Sequence, residues 1–508
     1  MISGVSADVI REHEGSRVLA LDIGTSSVRA ALFDNLGNEV VGTAARVERT
    51  LRTTLDGGAE LDADEALAQV TRVIDAVLAQ AASTCAGSIE VVAVSCFWHS
   101  LVGVDREGRA VTPVLGWADT RAAPAVEELR LQFDERELHA RTGCRFHSSY
   151  WPAKLRWLQT ERPHLYRAAR SWMSFAELLA LRFFGATEAS VSMASGTGLF
   201  DERLCRWDDS LLAWLGMTAG QLPTIAEAQQ TFSGLRVEYA RRWPQLSGAR
   251  WCPAIGDGAA NNIGAGCSTR ERVALMIGTS GAMRVLSEDE PPTALPPGLW
   301  CYRADRRRIV TGGALSDGGG LYGWMMDALA LSGDREETER ALLAIEADAH
   351  GLTVMPFWAG ERSTGWAKAA RGAILGLTMH TRPIEILRAA MESVAYRFAL
   401  IADALDRLAP QPEIVASGGA LRASPVWAQM LSDTLGRNVN LSGVRESSSR
   451  GAVLLALEAT GRIKSIADAP LAPLVQTYEP DMTRHARYRA GLERQQMVYE
   501  KIIESSSQ

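Results

Sequence analysis

Apolar positions in this chain keep two rhythms. Near-continuous apolar runs at residues 18–22, 28–33, 89–95, 272–277, 282–286 and 413–417 predict buried strands. Spacing by three and four, as in Leu67, Val70, Val73, Ile74 and Val77, predicts a helix over residues 62–82. Long helices are predicted over 383–405 and 425–435, with a closing helix after Tyr478. Asn35-Leu36-Gly37-Asn38 marks a hairpin turn into a third strand over 39–47. Trp117-Ala118-Asp119-Thr120-Arg121 leads into a helix near Pro124, and residues 125–250 read as mostly helical. Proline-rich stretches at 291–297 and 469–473 read as surface loops.

The strand pattern contains a repeat. Residues 20–26 read Ala-Leu-Asp-Ile-Gly-Thr-Ser, and residues 274–280 read Ala-Leu-Met-Ile-Gly-Thr-Ser, half a chain later. Each copy ends a strand, turns through glycine and hydroxyl residues, and enters a second strand. The order is strand–turn–strand, not the strand–loop–helix of a Walker or Rossmann loop, and no G-K-[ST] occurs. Such a turn offers backbone N–H groups to an anion. Two copies predict two α/β domains sharing one phosphate chain across a cleft, dividing near residue 250: a leader over 1–16, a first domain over 17–250 and a second over 251–508.

Composition narrows the partners. The chain has 508 residues, 47% of them apolar, enough for two or three cores. A net charge of −7 without a long basic run argues against nucleic acid. No apolar run reaches the roughly 18 residues of a membrane span. Seven scattered cysteines, Cys85 among them, with no C-x-x-C pair predict a reduced, cytoplasmic protein without disulfides or a zinc site. The polar N-terminus has no signal-peptide core and reads as a mobile leader.

Several residues carry candidate chemistry. Asp22 precedes the first turn on a buried strand. A buried carboxylate is costly without a partner, and Mg²⁺ in its water shell is one; backbone hydrogen bonding is the alternative. Asp257 lies between Gly256 and Gly258, where glycines let a substrate approach. It is a candidate acceptor for the proton of an attacking hydroxyl, or a turn aspartate satisfying its own loop. Gly418-Gly419-Ala420 after a strand gives room for an adenine or ribose, or is a plain strand-to-helix turn. Trp98-His99 and Trp117 to Arg121 end first-half strands, where ligands of α/β sheets gather. Trp98 and Trp117 supply flat faces for a sugar, and His99, Asp119 and Arg121 supply hydrogen bonds. The bland reading is core tryptophan plus a surface ion pair.

Together these residues resemble the FGGY carbohydrate kinases, of the actin-like, ribonuclease H-like ATPase fold. Residues 21–26 and 277–281 are similar to the family's two phosphate segments, and 256–258 to the segment of its catalytic aspartate. Residues 417–427 are similar to its adenosine segment. Gly360-Glu361-Arg362-Ser363 resembles its G-E-R-S-P, with Thr364 in place of proline. Phe97-Trp98-His99-Ser100-Leu101 and Trp117 to Arg121 look most like the gluconokinase branch, then the xylulokinases.

The resemblance implies an α/β fold of two actin-like domains and ATP- and Mg²⁺-dependent phosphorylation of a small sugar or sugar acid, D-gluconate first. Asp257 would be the catalytic base, and Trp98, His99, Trp117, Asp119, Arg121 and Asp257 would bind substrate. Gly24, Thr25, Ser26, Gly278, Thr279, Ser280, Gly281, Gly319, Gly418, Gly419, Ala420 and Ala423 would hold ATP, and Asp22 the metal through water. Arg121 and Lys154 are the cations expected to meet a substrate carboxylate. A homodimer is a candidate state. Competing readings are a ketose or polyol kinase, an actin- or chaperone-type ATPase, and an inactive sugar-binding regulator.

Overall fold

The computed structural model describes residues 15–84, 87–227, 229–331, 333–367, 370–409 and 411–504. Residues 1–14 of the expected leader, Cys85 and Lys368 lie outside them. The described chain is α/β, built on two mixed sheets that repeat one strand plan.

The first sheet starts from β1 (Ser16–Ile23), so Ser16 belongs to the fold and not to the leader. β1 pairs antiparallel with β2 (Ser27–Phe33), which pairs antiparallel with β3 (Glu39–Glu48). Helix α1 (Ala63–Thr84) follows; Asp62 opens it by accepting from the Glu65 amide at 2.8 Å, and Asp64 and Glu65 complement its N-terminal dipole. Its apolar stripe, Val70, Val73, Ile74 and Val77, is buried. The chain then adds β4 (Ser88–Cys96) parallel to β1.

The second sheet restarts the plan. β7 (Arg272–Ile277) pairs antiparallel with β8 (Gly281–Ser287), as β1 pairs with β2. β8 pairs with β10 (Ile309–Leu315), which also carries the short edge strand β9 (Trp300–Arg303). β11 (Glu413–Ser417) runs parallel to β7, as β4 runs parallel to β1. Between the sheets, residues 101–222 form a helical insertion with its own core around Trp151, Trp172 and Trp207.

Two short strands at the expected division near residue 250 still pair with the first sheet. β5 (Arg250–Trp251) and β6 (Ile255–Gly256) both pair parallel with β4, extending the first sheet to Gly256. Helix α2 (Asp257–Gly264) leaves β6 and crosses α5 (Ser447–Ala459) with backbones in contact. A Cβ on Gly264 would lie 1.8 Å from the Ser447 carbonyl oxygen, and one on Gly451 1.8 Å from that of Ala260. Only glycine allows that approach. Val453 and Leu457 of α5 are buried in the first sheet's core, so the last third of the chain helps to build the first lobe.

Free cysteines include Cys96, Cys144, Cys252, Cys267 and Cys301, all buried. No described helix is long and apolar enough to cross a membrane.

Candidate active site

Asp257 is the first residue of α2. Its Oδ1 accepts from the Gly258 amide at 2.8 Å, and it stays partly open to the cleft between the lobes. Burial raises its pKa, while the nearby Arg284 guanidinium and the backbone N–H groups of Gly258 and Trp98 work the other way. Asp22, near the end of β1, is 8% exposed; burial pushes its carboxyl up to about 6, Arg29 opposing and Asp257 adding repulsion. Arg29, opposite Asp22 in β2, reaches it at 3.7 Å but binds Glu446 more closely, at 2.6 Å. Asp22 is thus a desolvated carboxylate that also feels the charge of Asp257. A hydrated divalent cation relieves that cost, because Mg²⁺ keeps most of its waters and needs few protein ligands.

The flanking glycines have a cause that the sequence hides. A Cβ on Gly256 would fall 1.9 Å from Cε2 of Trp98, and one on Gly258 2.5 Å from its Cζ3. The indole lies on both glycines, so they make room for Trp98 and not only for a ligand. Trp98 is 5% exposed, and its Nε1 donates to the Ser192 carbonyl at 2.8 Å. It is the floor under Asp257, not a bare sugar platform. Trp117 does line the cleft, but the Arg362 guanidinium lies 4.5 Å over its ring.

His99 lines the cleft with φ of +67°, in the left-handed region that strains a non-glycine residue. Burial holds its pKa down to about 3, so it is neutral. Its Nδ1 contacts the Gly196 carbonyl, which can only accept; the proton therefore sits on Nδ1, and Nε2 is left as an acceptor.

Asp119 and Arg121 are not brought to the cleft. Asp119 is 2% exposed and pairs with Arg121, which also holds Glu60 at 2.6 Å and stacks 4.9 Å from Trp157. Lys154 is used as well: its Nζ donates to the carbonyls of His99 at 2.7 Å and Gly116 at 2.9 Å, bracing the two strand ends that carry His99 and Trp117. Burial pushes its pKa down to about 7. Both expected carboxylate partners therefore serve the scaffold.

Other cations take their place. Arg284 of β8 is 5% exposed and lines the cleft, donating to the Gly258 carbonyl at 3.2 Å and Asn261 Oδ1 at 3.4 Å. Arg362 donates to the Leu315 carbonyl at 2.9 Å, and its buried Nε has no partner among the described residues. Neither forms an ion pair within 4 Å among the described residues. An arginine inside the apolar run of β8 was the visible sign of Arg284. Tyr150, Tyr302, Trp300 and Trp366 complete the walls, with the Tyr150 and Tyr302 hydroxyls 2.6 Å apart across the lobes. They left no mark in the sequence that separates them from core aromatics.

The second glycine turn lines the cleft through Ser280 and Gly281, and the first repeats its hydrogen bonding. In each, the first amide is spent internally: Gly24 donates to the Ser27 carbonyl at 3.0 Å, and Gly278 to that of Ser280 at 2.9 Å. Among the described residues the amides of Thr25, Ser26, Thr279 and Ser280 have no backbone acceptor and are the ones left for an anion. Gly281 opens β8, where a Cβ would meet the Phe398 ring at 2.7 Å. Gly319 begins helix α3 (Gly319–Ala328), and its amide donates to the Gly278 carbonyl at 2.7 Å, so it supports the second turn. Gly418, with φ of +102°, closes on the Ile277 carbonyl, where a Cβ would sit at 2.2 Å. Gly419 has open space where its Cβ would be, and with Ala420 and Ala423 it forms the short helix α4 (Gly419–Ala423). Free amides, a small-residue ledge and a pair of acids fit a nucleoside triphosphate with its metal.

Residues 17–264 match the N-terminal domain of the FGGY family of carbohydrate kinases, and residues 273–460 match its C-terminal domain. The chain is 28% identical to a gluconokinase of Bacillus subtilis over 91% of each chain. It is 26% identical to a xylulose kinase of Escherichia coli over 96% of this chain and 99% of that one. A solved gluconate kinase of Lactobacillus acidophilus superposes with a TM-score of 0.87, at 24% identity, over 96% of this chain and 98% of that one, which shows the shared fold.

Proposed function

The chain belongs to the FGGY family of carbohydrate kinases, and from that premise we propose that it moves the terminal phosphoryl group of ATP to a hydroxyl of a sugar acid, D-gluconate to 6-phosphogluconate being the best-fitting case. Being a carbohydrate kinase, it is a phosphotransferase, which removes the chaperone-type ATPase and inactive-regulator readings. The observation that carries the sugar-acid reading is the pair Arg284 and Arg362. Two guanidinium groups line the cleft without a carboxylate within 4 Å, and a buried cation left unpaired is expensive. A substrate anion supplies the missing partner.

In this reading Asp257 accepts the proton of the attacking hydroxyl. Burial makes it a stronger base, and Arg284 with the N-terminus of α2 keeps it ionised. His99 Nε2 takes a hydrogen bond from a sugar hydroxyl. The amides of Thr25, Ser26, Thr279 and Ser280 hold phosphate oxygens, and the ledge at Gly419 receives the nucleoside. Asp22 would hold Mg²⁺ through water, where the ion neutralises phosphate charge. Positioning and charge neutralisation supply most of the rate in such transfers. The Tyr150–Tyr302 contact joins the lobes beside Asp257 and helps to keep water from competing as acceptor.

A second reading, a ketose kinase, draws on the E. coli xylulose kinase, which is matched over 99% of its length. ADP release measured on aldonates, ketoses and polyols separates the two. Gluconate should give the highest kcat/KM; a clear preference for D-xylulose would replace the sugar-acid reading.

A further inference from the structure

The repeated turns are held from behind by different devices, and this assigns a task to Arg49, which sits just after β3. Its backbone amide donates to the Ser26 carbonyl at 3.0 Å, and its Nη2 donates to the Gly24 carbonyl. One residue thus captures the carbonyl oxygens at both ends of the first turn. In the second turn the carbonyls are captured by main chain: Gly319 donates to the Gly278 carbonyl at 2.7 Å, and Gly320 to that of Thr279 at 2.9 Å. A peptide whose oxygen is fixed rearward presents the following N–H forward. In the first turn the Thr25 amide follows the captured Gly24 carbonyl; in the second the Thr279 and Ser280 amides follow the captured carbonyls of Gly278 and Thr279.

Arg49 is more deeply committed than a surface brace. It is 7% exposed, and its guanidinium packs 5.4 Å from the Phe97 ring and 5.9 Å from that of Phe175. Its Nε and Nη1 are buried without hydrogen-bond partners among the described residues. Asp22 is the carboxylate whose charge acts on it, and no carboxylate pairs with it within 4 Å among the described residues. A buried positive charge under a turn of outward amides adds to the field that an approaching anion meets.

We propose that Arg49 is the positioning residue of the first phosphate turn, aligning the Thr25 amide through the Gly24 carbonyl and supplying charge beneath the bound phosphates. The inference rests on the reading of these turns as the ATP site. Calorimetric titration of the full-length protein with MgATP, and separately with adenosine, tests it in the wild type, Arg49→Met and Arg49→Lys. The expected result is a MgATP Kd raised at least tenfold in Arg49→Met and less in Arg49→Lys, with adenosine affinity and the gluconate KM within twofold of wild type. MgATP affinity within twofold of wild type in Arg49→Met overturns the proposal, as does equal weakening of adenosine. Should Arg49→Met not fold, Arg49→Lys decides alone: it must weaken MgATP more than threefold and leave adenosine unchanged. A wild type that binds neither ligand overturns the ATP-site reading itself, together with this inference.

Discussion

Replacing Arg284 by methionine should cost this kinase the preference for a charged substrate proposed above. Methionine keeps much of the apolar stem and removes the guanidinium, which is 5% exposed and has no carboxylate within 4 Å. A charge-assisted hydrogen bond in a desolvated site is worth about 1.5–3 kcal/mol. Arg284 also donates to the Gly258 carbonyl at 3.2 Å, next to the base, so its loss slows every substrate. The informative quantity is therefore a ratio: kcat/KM for D-gluconate over kcat/KM for D-glucitol, the same carbon chain with a hydroxymethyl in place of the carboxylate. Damage to the base cancels in that ratio, as in a double-mutant cycle. The ratio should fall by about 10- to 150-fold in Arg284→Met. A coupled assay of ADP release measures both substrates. An unchanged ratio with both rates depressed would refute the assignment and leave Arg284 as a support for the base or the phosphates.

Three further outcomes follow from the geometry. Asp22→Asn should stabilise the protein free of metal and nucleotide above pH 6 while lowering MgATP-dependent turnover. Burial raises the folded carboxyl from 3.8 to about 6, so the folded protein binds this proton more tightly than the unfolded chain. That contribution is present below pH 4 and lost as pH rises through 6, and removing the charge recovers up to about 3 kcal/mol at pH 8; thermal melts in EDTA from pH 4 to 8 check it, and a lower melting temperature at pH 8 would contradict it. Gly256→Ala should destabilise by about 1–3 kcal/mol through its 1.9 Å clash with Trp98, and Trp98→Leu in the same chain should recover part of that in urea melts. Lys154→Met should lower kcat/KM for every sugar alike, because Lys154 braces the His99 and Gly116 carbonyls and touches no substrate carboxylate; a loss confined to gluconate would reverse that statement.

The backbone is legible where the chain signals it locally. Residues 383–405, 413–417 and 425–435 form the elements their periodicity predicts, with proline in the first turn of both helices. The repeated turns stand out because their sequence is nearly identical. Long-range partnership is not legible. The Gly256-Asp257-Gly258 turn shows its spacing in the sequence, but the indole that requires those glycines comes from residue 98. Arg121 and Lys154 read as free cations, because a sequence does not record that Asp119, Glu60 and two carbonyls already hold them. Arg362 is visible only as part of a family segment, and Arg284 only as a charge in a buried strand. The short strands at 250–251 and 255–256 reveal themselves by pairing with β4, not by their own pattern.

The central claim is that Asp257 is the base of a sugar kinase whose nucleotide site stands apart from it. The most direct test is Asp257→Asn, with ADP release on D-gluconate measured beside the calorimetric Kd for MgATP. Turnover should fall by about 10²- to 10⁴-fold, the usual contribution of a general base, while the Kd stays within threefold of wild type. A variant that keeps turnover within threefold of wild type would contradict the claim.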